Sequence, residues 1–119
     1  MMPLAVFQDF LTALRDECGA RLCGSFARYE HDLKGHFSDI DLVVSADGDG
    51  DARPIRKAIA IFKRFNVPGS SILVGQFSSP RDTTTLPRPI EVMEDSWIEK
   101  DKTLAKEVEV YGIKFKTFR

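Results

Sequence analysis

Cysteine is scarce in this chain: Cys18 and Cys23 alone among 119 residues, too few for a disulfide-stapled scaffold. They flank an expected helix-to-strand turn and read as reduced thiols, with Cys23 in the core. No apolar run approaches the roughly 20 residues that span a membrane. The stretch after Met1-Met2-Pro3 is broken by Gln8 and Asp9, so it lacks both the basic segment and the continuous apolar segment of a secretion signal. Neither sign of charge dominates: 17 Lys and Arg face 18 Asp and Glu, a formal net charge of −1, so no global basic field draws a large nucleic acid. The two histidines, His31 and His36, flank Gly35 in a polar loop without partners at metal-ligand spacing, and read as solvent-exposed. The aspartate-glycine run from Asp47 to Asp51 fails as a calcium loop, since the required glycine and final acid fall on Ala52 and Ala58. No repeat or low-complexity segment is present. These absences predict a cytoplasmic protein without a membrane segment, in one domain over 1–119. Its 43% hydrophobic and 29% charged residues suffice for a single core.

Hydrophobic spacing divides the chain into an α/β order. Leu4, Phe7, Phe10, Leu11 and Leu14 predict a first helix from Pro3 to Cys18, ended near Gly19. A short strand over 21–23, a helix from about Phe26 and a strand over 39–44 follow. Asp51 is expected as the N-cap of a helix with Pro54 in its first turn and Ile55, Ile59, Phe62 and Phe65 on its apolar face. Strands are expected over 71–77 and 89–93, joined by a polar loop over 78–88. Ser96 and Glu99 have capping-box spacing, which predicts a last helix with Trp97, Leu104 and Val108 inward, then a short strand over 110–115. The fold class is therefore α/β (α+β), a mixed sheet packed against helices.

One constellation carries chemistry. Gly24-Ser25 is followed across a polar stretch by Ser38-Asp39-Ile40-Asp41-Leu42-Val43-Val44. Carboxylates at i and i+2 entering an apolar strand point to the same face, so Asp39 and Asp41 can share one metal site. Upstream, glycine lets backbone approach a phosphate, the free N–H groups of a new helix favour an anion, and Ser25 adds a hydroxyl. A triphosphate at Gly24-Ser25 and divalent cations at the aspartates would neutralise one another, because Mg²⁺ favours a few carboxylates plus phosphate oxygens.

At these residues the chain resembles the nucleotidyltransferase superfamily related to DNA polymerase β, in particular its minimal (MNT) branch. The shared pattern is a glycine-serine turn, ten or more residues, then Asp-x-Asp opening a hydrophobic strand. Here it spans Gly24-Ser25-Phe26-Ala27-Arg28 and Ser38-Asp39-Ile40-Asp41-Leu42. The resemblance implies a third acid on a later strand, best placed at Glu91 in Pro89-Ile90-Glu91-Val92-Met93, against the reading of Glu91 as an edge-strand surface residue. Two positions depart from the family: Tyr29 stands where members often carry glycine, and the third acid is more often aspartate.

The resemblance implies a nucleotidyltransferase-like sheet and Mg-dependent transfer of a nucleoside monophosphate to an acceptor hydroxyl, with pyrophosphate released. It implies two Mg²⁺ ions at Asp39, Asp41 and Glu91, with ATP or another NTP as donor. Gly24, Ser25, Arg28 and Ser38 fall on the nucleotide side. Arg28 is read either as a phosphate partner or as one half of a helix-surface ion pair. Larger members carry a second domain for the acceptor, and stand-alone MNT proteins are often paired with a helical HEPN protein in toxin-antitoxin arrangements, which implies such a partner here. Two alternatives stand beside this one: a homo-oligomer that modifies a small hydroxylated molecule, and a nucleotide- or partner-binding module without catalysis.

Overall fold

The computed structural model describes residues 3–28, 39–47, 53–67, 69–79 and 89–119. Its first element, α1 (Leu4–Cys18), begins one residue after the expected start, with Pro3 as N-cap, and ends where expected. Phe7, Phe10, Leu11, Leu14 and Cys18 form its buried stripe, and Gly19 ends it at φ 65°. There the Gly19 N–H donates to the Arg15 carbonyl and the Ala20 N–H to that of Leu14, a Schellman closure that only a residue tolerant of positive φ makes cheaply.

After α1 come β1 (Arg21–Cys23), a single turn α2 (Gly24–Arg28) and β2 (Ile40–Val44). The turn begins at Gly24, two residues before the expected start. Next is α3 (Pro54–Phe65), with Pro54 in its first turn and Arg53 as N-cap in place of the expected Asp51, which lies outside the described residues. Proline suits this position because the first helical N–H groups have no intrahelical acceptor. Phe10 of α1 meets Phe62 edge-to-face at 5.5 Å and Phe65 at 5.7 Å, which locks the two helices together.

The strands β3 (Ser70–Val74), β4 (Phe77–Ser79) and β5 (Ile90–Glu94) complete a mixed sheet in the order β1-β2-β5-β3-β4. β2, β5 and β3 run parallel; β1 and β4 are antiparallel edges. The single strand expected over 71–77 is a hairpin, because Gly75 takes φ 56° and reverses the chain. The Gly75 N–H is held by the buried Glu94 carboxylate at 3.2 Å.

The expected last helix does not form. A 3₁₀ turn, Asp95–Trp97, follows β5, and the chain then enters the hairpin β6 (Glu107–Val110) and β7 (Ile113–Lys116). Glu-Val-Glu-Val and Ile-Lys-Phe-Lys alternate with period two around Tyr111-Gly112, both at positive φ as a two-residue hairpin turn requires. Leu104 and Val108 are buried as expected, but from a loop and a strand, and Trp97 is 49% exposed. The hairpin joins the sheet where Thr117 bridges Leu22, with the Phe118 N–H on the Leu22 carbonyl at 2.9 Å.

The sheet has two unlike faces. Leu22, Ile40, Leu42, Val44, Ile72, Val74, Ile90 and Val92 are buried in the main core with α1 and α3. Each fully buried large side chain there contributes about 1.5–3 kcal/mol. Alternation places Cys23, Asp41, Val43, Glu91, Met93, Ser71 and Leu73 on the opposite face. Phe118 and Ile98 cover Cys23 and Val43 on the β1–β2 half of that face. Toward β3, Leu73 is 48% exposed. Asp41 and Glu91 stand between these two parts of the face, both half-buried. No described helix is long and apolar enough to cross a membrane.

Candidate active site

Strand register brings the two halves of the sequence motif together. Cys23 opposes Asp41 across the antiparallel β1–β2 pair, so the residue after Cys23 lies against the Asp41 side chain. That residue is Gly24, at φ 78°, and a Cβ there would overlap Asp41 Oδ2 and come within 3.1 Å of Cγ. Glycine is thus required twice, by the backbone angle and by the carboxylate that fills the space.

On its other side Asp41 is in register with Glu91 across the parallel β2–β5 pair. Both are half-buried and on one face. The Asp41 carboxyl is pushed up to about 6, first by burial, then by the charge of Glu91, its hydrogen bond with Glu91 and the charge of Asp39. Asp39 precedes β2 and is half-buried. The Asp39/Asp41/Glu91 neighbourhood expected from sequence therefore exists as a closely coupled Asp41–Glu91 pair with Asp39 adding its field.

Ser25 lies in the single turn α2, half-buried beside Gly24. Arg28 closes that turn, and its Nε donates to Asp101 Oδ2 at 2.7 Å. Of the two roles open to Arg28, the ion pair is present, but its partner lies in the segment before β6 and not on its own helix. Asp101 is fixed in turn by the Thr103 N–H at 3.0 Å and hydroxyl at 2.7 Å. The hydrogen bond from Arg28 leads the causes that hold the Asp101 carboxyl down at about 2. Sequence reading missed Asp101. Its local signal was the Asp-x-Thr turn, whereas its pairing with a residue 73 positions away has none. Ser38, Tyr29, His31 and His36 lie outside the described residues.

Both cysteines are buried and free, and burial pushes each thiol up to about 12, so Cys23 is an inert floor beside Asp41 and no nucleophile.

The donor chemistry fits a hard divalent cation. Asp41 and Glu91 offer adjacent carboxylate oxygens whose mutual repulsion a cation would relieve. Among the described residues no three His, Cys, Asp or Glu side chains form a ready-made cage. Mg²⁺ does not need one, since it is held by one or two carboxylates and completes its shell with water and phosphate.

Cavities lie on both faces of the sheet. A small one of about 140 Å³ lies between α3 and β3–β4, on the face away from the carboxylates. A wider cleft of about 480 Å³ runs over β3, β4 and β5 on the carboxylate face and includes Glu91 in its wall. No family model matches the chain, and neither the curated proteins nor the solved structures contain a match to it.

Proposed function

We propose that the protein is a Mg-dependent nucleotidyltransferase that moves a nucleoside monophosphate from an NTP, ATP in the first instance, to an acceptor hydroxyl. The observation that carries this reading is the register that sets Asp41 between Gly24 and Glu91. A half-buried carboxylate pair open to solvent on one side, next to a glycine-serine turn, suits a site for polyanion and cations together.

The residues divide the work by position. Gly24 and Ser25 take the outer phosphates, and Asp39, Asp41 and Glu91 hold the cations. When bound, those ions supply charge neutralisation at the attacked phosphate and the leaving oxygen. Glu91, on the strand farther from Gly24 and nearer the open side of the face, accepts the proton of the attacking hydroxyl. Arg28 reaches phosphate by exchanging Asp101 for it. In the leading reading the acceptor is a hydroxyl on a helical HEPN-type protein, the partner that the resemblance at Gly24-Ser25 and Asp39-Ile40-Asp41 implies.

The test is label transfer from α-labelled ATP with Mg²⁺ in cognate cell extract, comparing wild type with Asp39→Asn/Asp41→Asn. Label on an acceptor with wild type alone is the expected result. Equal labelling by both proteins would end the assignment.

A further inference from the structure

We infer that the cleft over β3–β4 and β5 is the acceptor subsite, and that it takes an alcohol with an apolar, non-anionic body about the size of one aromatic ring. The inference rests on the transferase reading and names the substrate class for that same site.

Position along the sheet separates donor from acceptor. Crossing from one edge, the carboxylate face presents Gly24 after β1, Asp41 on β2, Glu91 on β5, then Ser71 on β3, in register with Glu91. Neighbouring strands are about 4.8 Å apart. A triphosphate anchored at Gly24 with its reacting phosphorus over the carboxylate pair therefore points its open side at β3. In-line displacement places the entering oxygen opposite the leaving one, so the acceptor enters from β3.

The walls then select its chemistry. Glu91 is the one charged side chain among the described residues that line the cleft. Leu73 and Met93 are in register and give an apolar floor, and Ser71 and Ser78 offer hydroxyls at its rim. Leu73 on this floor is 48% exposed, while Phe118 covers the matching row over Val43. A thioether and a leucine favour an aromatic or aliphatic body, and in the metal-free protein used for the titration below Glu91 disfavours a carboxylate or phosphate on that body. A volume of about 480 Å³ falls within the usual range for small-ligand sites.

The step balances without a further reactant. The alcohol oxygen forms a bond to the α-phosphorus of ATP, and the bond from that phosphorus to the bridging oxygen breaks. Pyrophosphate leaves with the electron pair, and the alcohol proton passes to Glu91 and on to water.

Three matched probes test it: benzyl alcohol, 4-(aminomethyl)benzyl alcohol and 4-(hydroxymethyl)benzoate. Each is titrated against metal-free protein carrying labelled Leu and Met methyls. The neutral and cationic probes are expected to shift the Leu73 and Met93 methyls, and the anionic one to bind at least tenfold more weakly. Leu73→Lys is expected to reverse the order of the two charged probes. Absence of methyl shifts, or equal binding of the anion, overturns the cleft whatever the enzyme does with ATP. The second arm follows label from α-labelled ATP. Label on a free alcohol identifies small-molecule acceptors, and label on protein that benzyl alcohol suppresses competitively identifies a side-chain hydroxyl. Either result upholds the subsite, whereas protein labelling indifferent to the probes overturns it. Methyl shifts without label in any arm remove the transferase reading and the acceptor role with it.

Discussion

The carboxylate of Asp41 occupies the volume that a side chain at residue 24 would need, so Gly24 and Asp41 are two halves of one packing unit although 17 positions separate them. This contact joins the glycine-serine turn to the acidic strand by shape. It makes the motif a steric unit before it is a chemical one.

Gly24→Ala tests that unit. The left-handed angle costs an alanine about 1–2 kcal/mol, and the new methyl displaces the Asp41 carboxylate from its place beside Glu91. Urea unfolding should show that loss of stability, and transfer from Mg-ATP should fall at least tenfold. Wild-type values for both would mean that Asp41 does not fill the space.

The Asp41–Glu91 pair sets a pH dependence of known sign. Asp41 is raised from 3.8 to about 6, so its proton favours the folded state. That contribution is full below pH 3.8 and is lost as pH rises through about 6. Asp41→Asn should therefore match wild type in stability at pH 3.5 and exceed it at pH 8, by about 1–3 kcal/mol once partial solvent screening is allowed for. Thermal unfolding across that range reads the difference directly; a gap independent of pH would contradict the coupling. Added Mg²⁺ should narrow the gap at pH 8 by stabilising wild type alone.

Arg28 and Asp101 give a different signature. Their ion pair is largely solvent-exposed, so Asp101→Asn should leave the unfolding midpoint close to wild type. On the proposed role of Arg28, Asp101 competes with phosphate for the same guanidinium, so this variant should lower the KM for ATP and Arg28→Ala should raise it. Equal effects of both variants on KM would argue that Arg28 never leaves Asp101.

The thiols of Cys18 and Cys23 should be silent toward Ellman's reagent at pH 8 in the native protein and should both react in denaturant. Rapid reaction of Cys23 without denaturant would show that the sheet face beside Asp41 opens, and rapid reaction of Cys18 that α1 leaves the main core.

Local signals were legible in the sequence to the extent that one element determined them. The stripe Phe7, Phe10, Leu11 and Leu14 with Gly19 behind it defined α1 to within a residue, because helix period and a left-handed stop coincide. The acidic strand and its turn were legible for the same reason. Glu91 could be named but not located: its pairing with Asp41 depends on β5 inserting between β2 and β3, a matter of sheet order. The segment after β5 misled because Ser96 and Glu99 imitate a capping box, while Trp97, Leu104 and Val108 fall at spacings of seven and four. The decisive pattern was period-two alternation on either side of Tyr111-Gly112. Helix capping is worth about 1 kcal/mol, and it loses to a hairpin that buries Val108, Val110 and Phe115.

The bridge from Thr117 to Leu22, with Phe118 seated over Cys23 and Val43, has a consequence for the order of assembly. The surroundings of the carboxylate pair are drawn from residues 22–24, 41, 91 and 118, nearly the whole span of the chain. Loop-closure entropy delays such distant pairings relative to the contact of α1 with α3. During synthesis the helical side of the sheet can therefore gather first, and the carboxylate side is sealed only after the β6–β7 hairpin has been made. A fluorophore beside Cys23 would record the latest event in refolding, after the helical signal is complete.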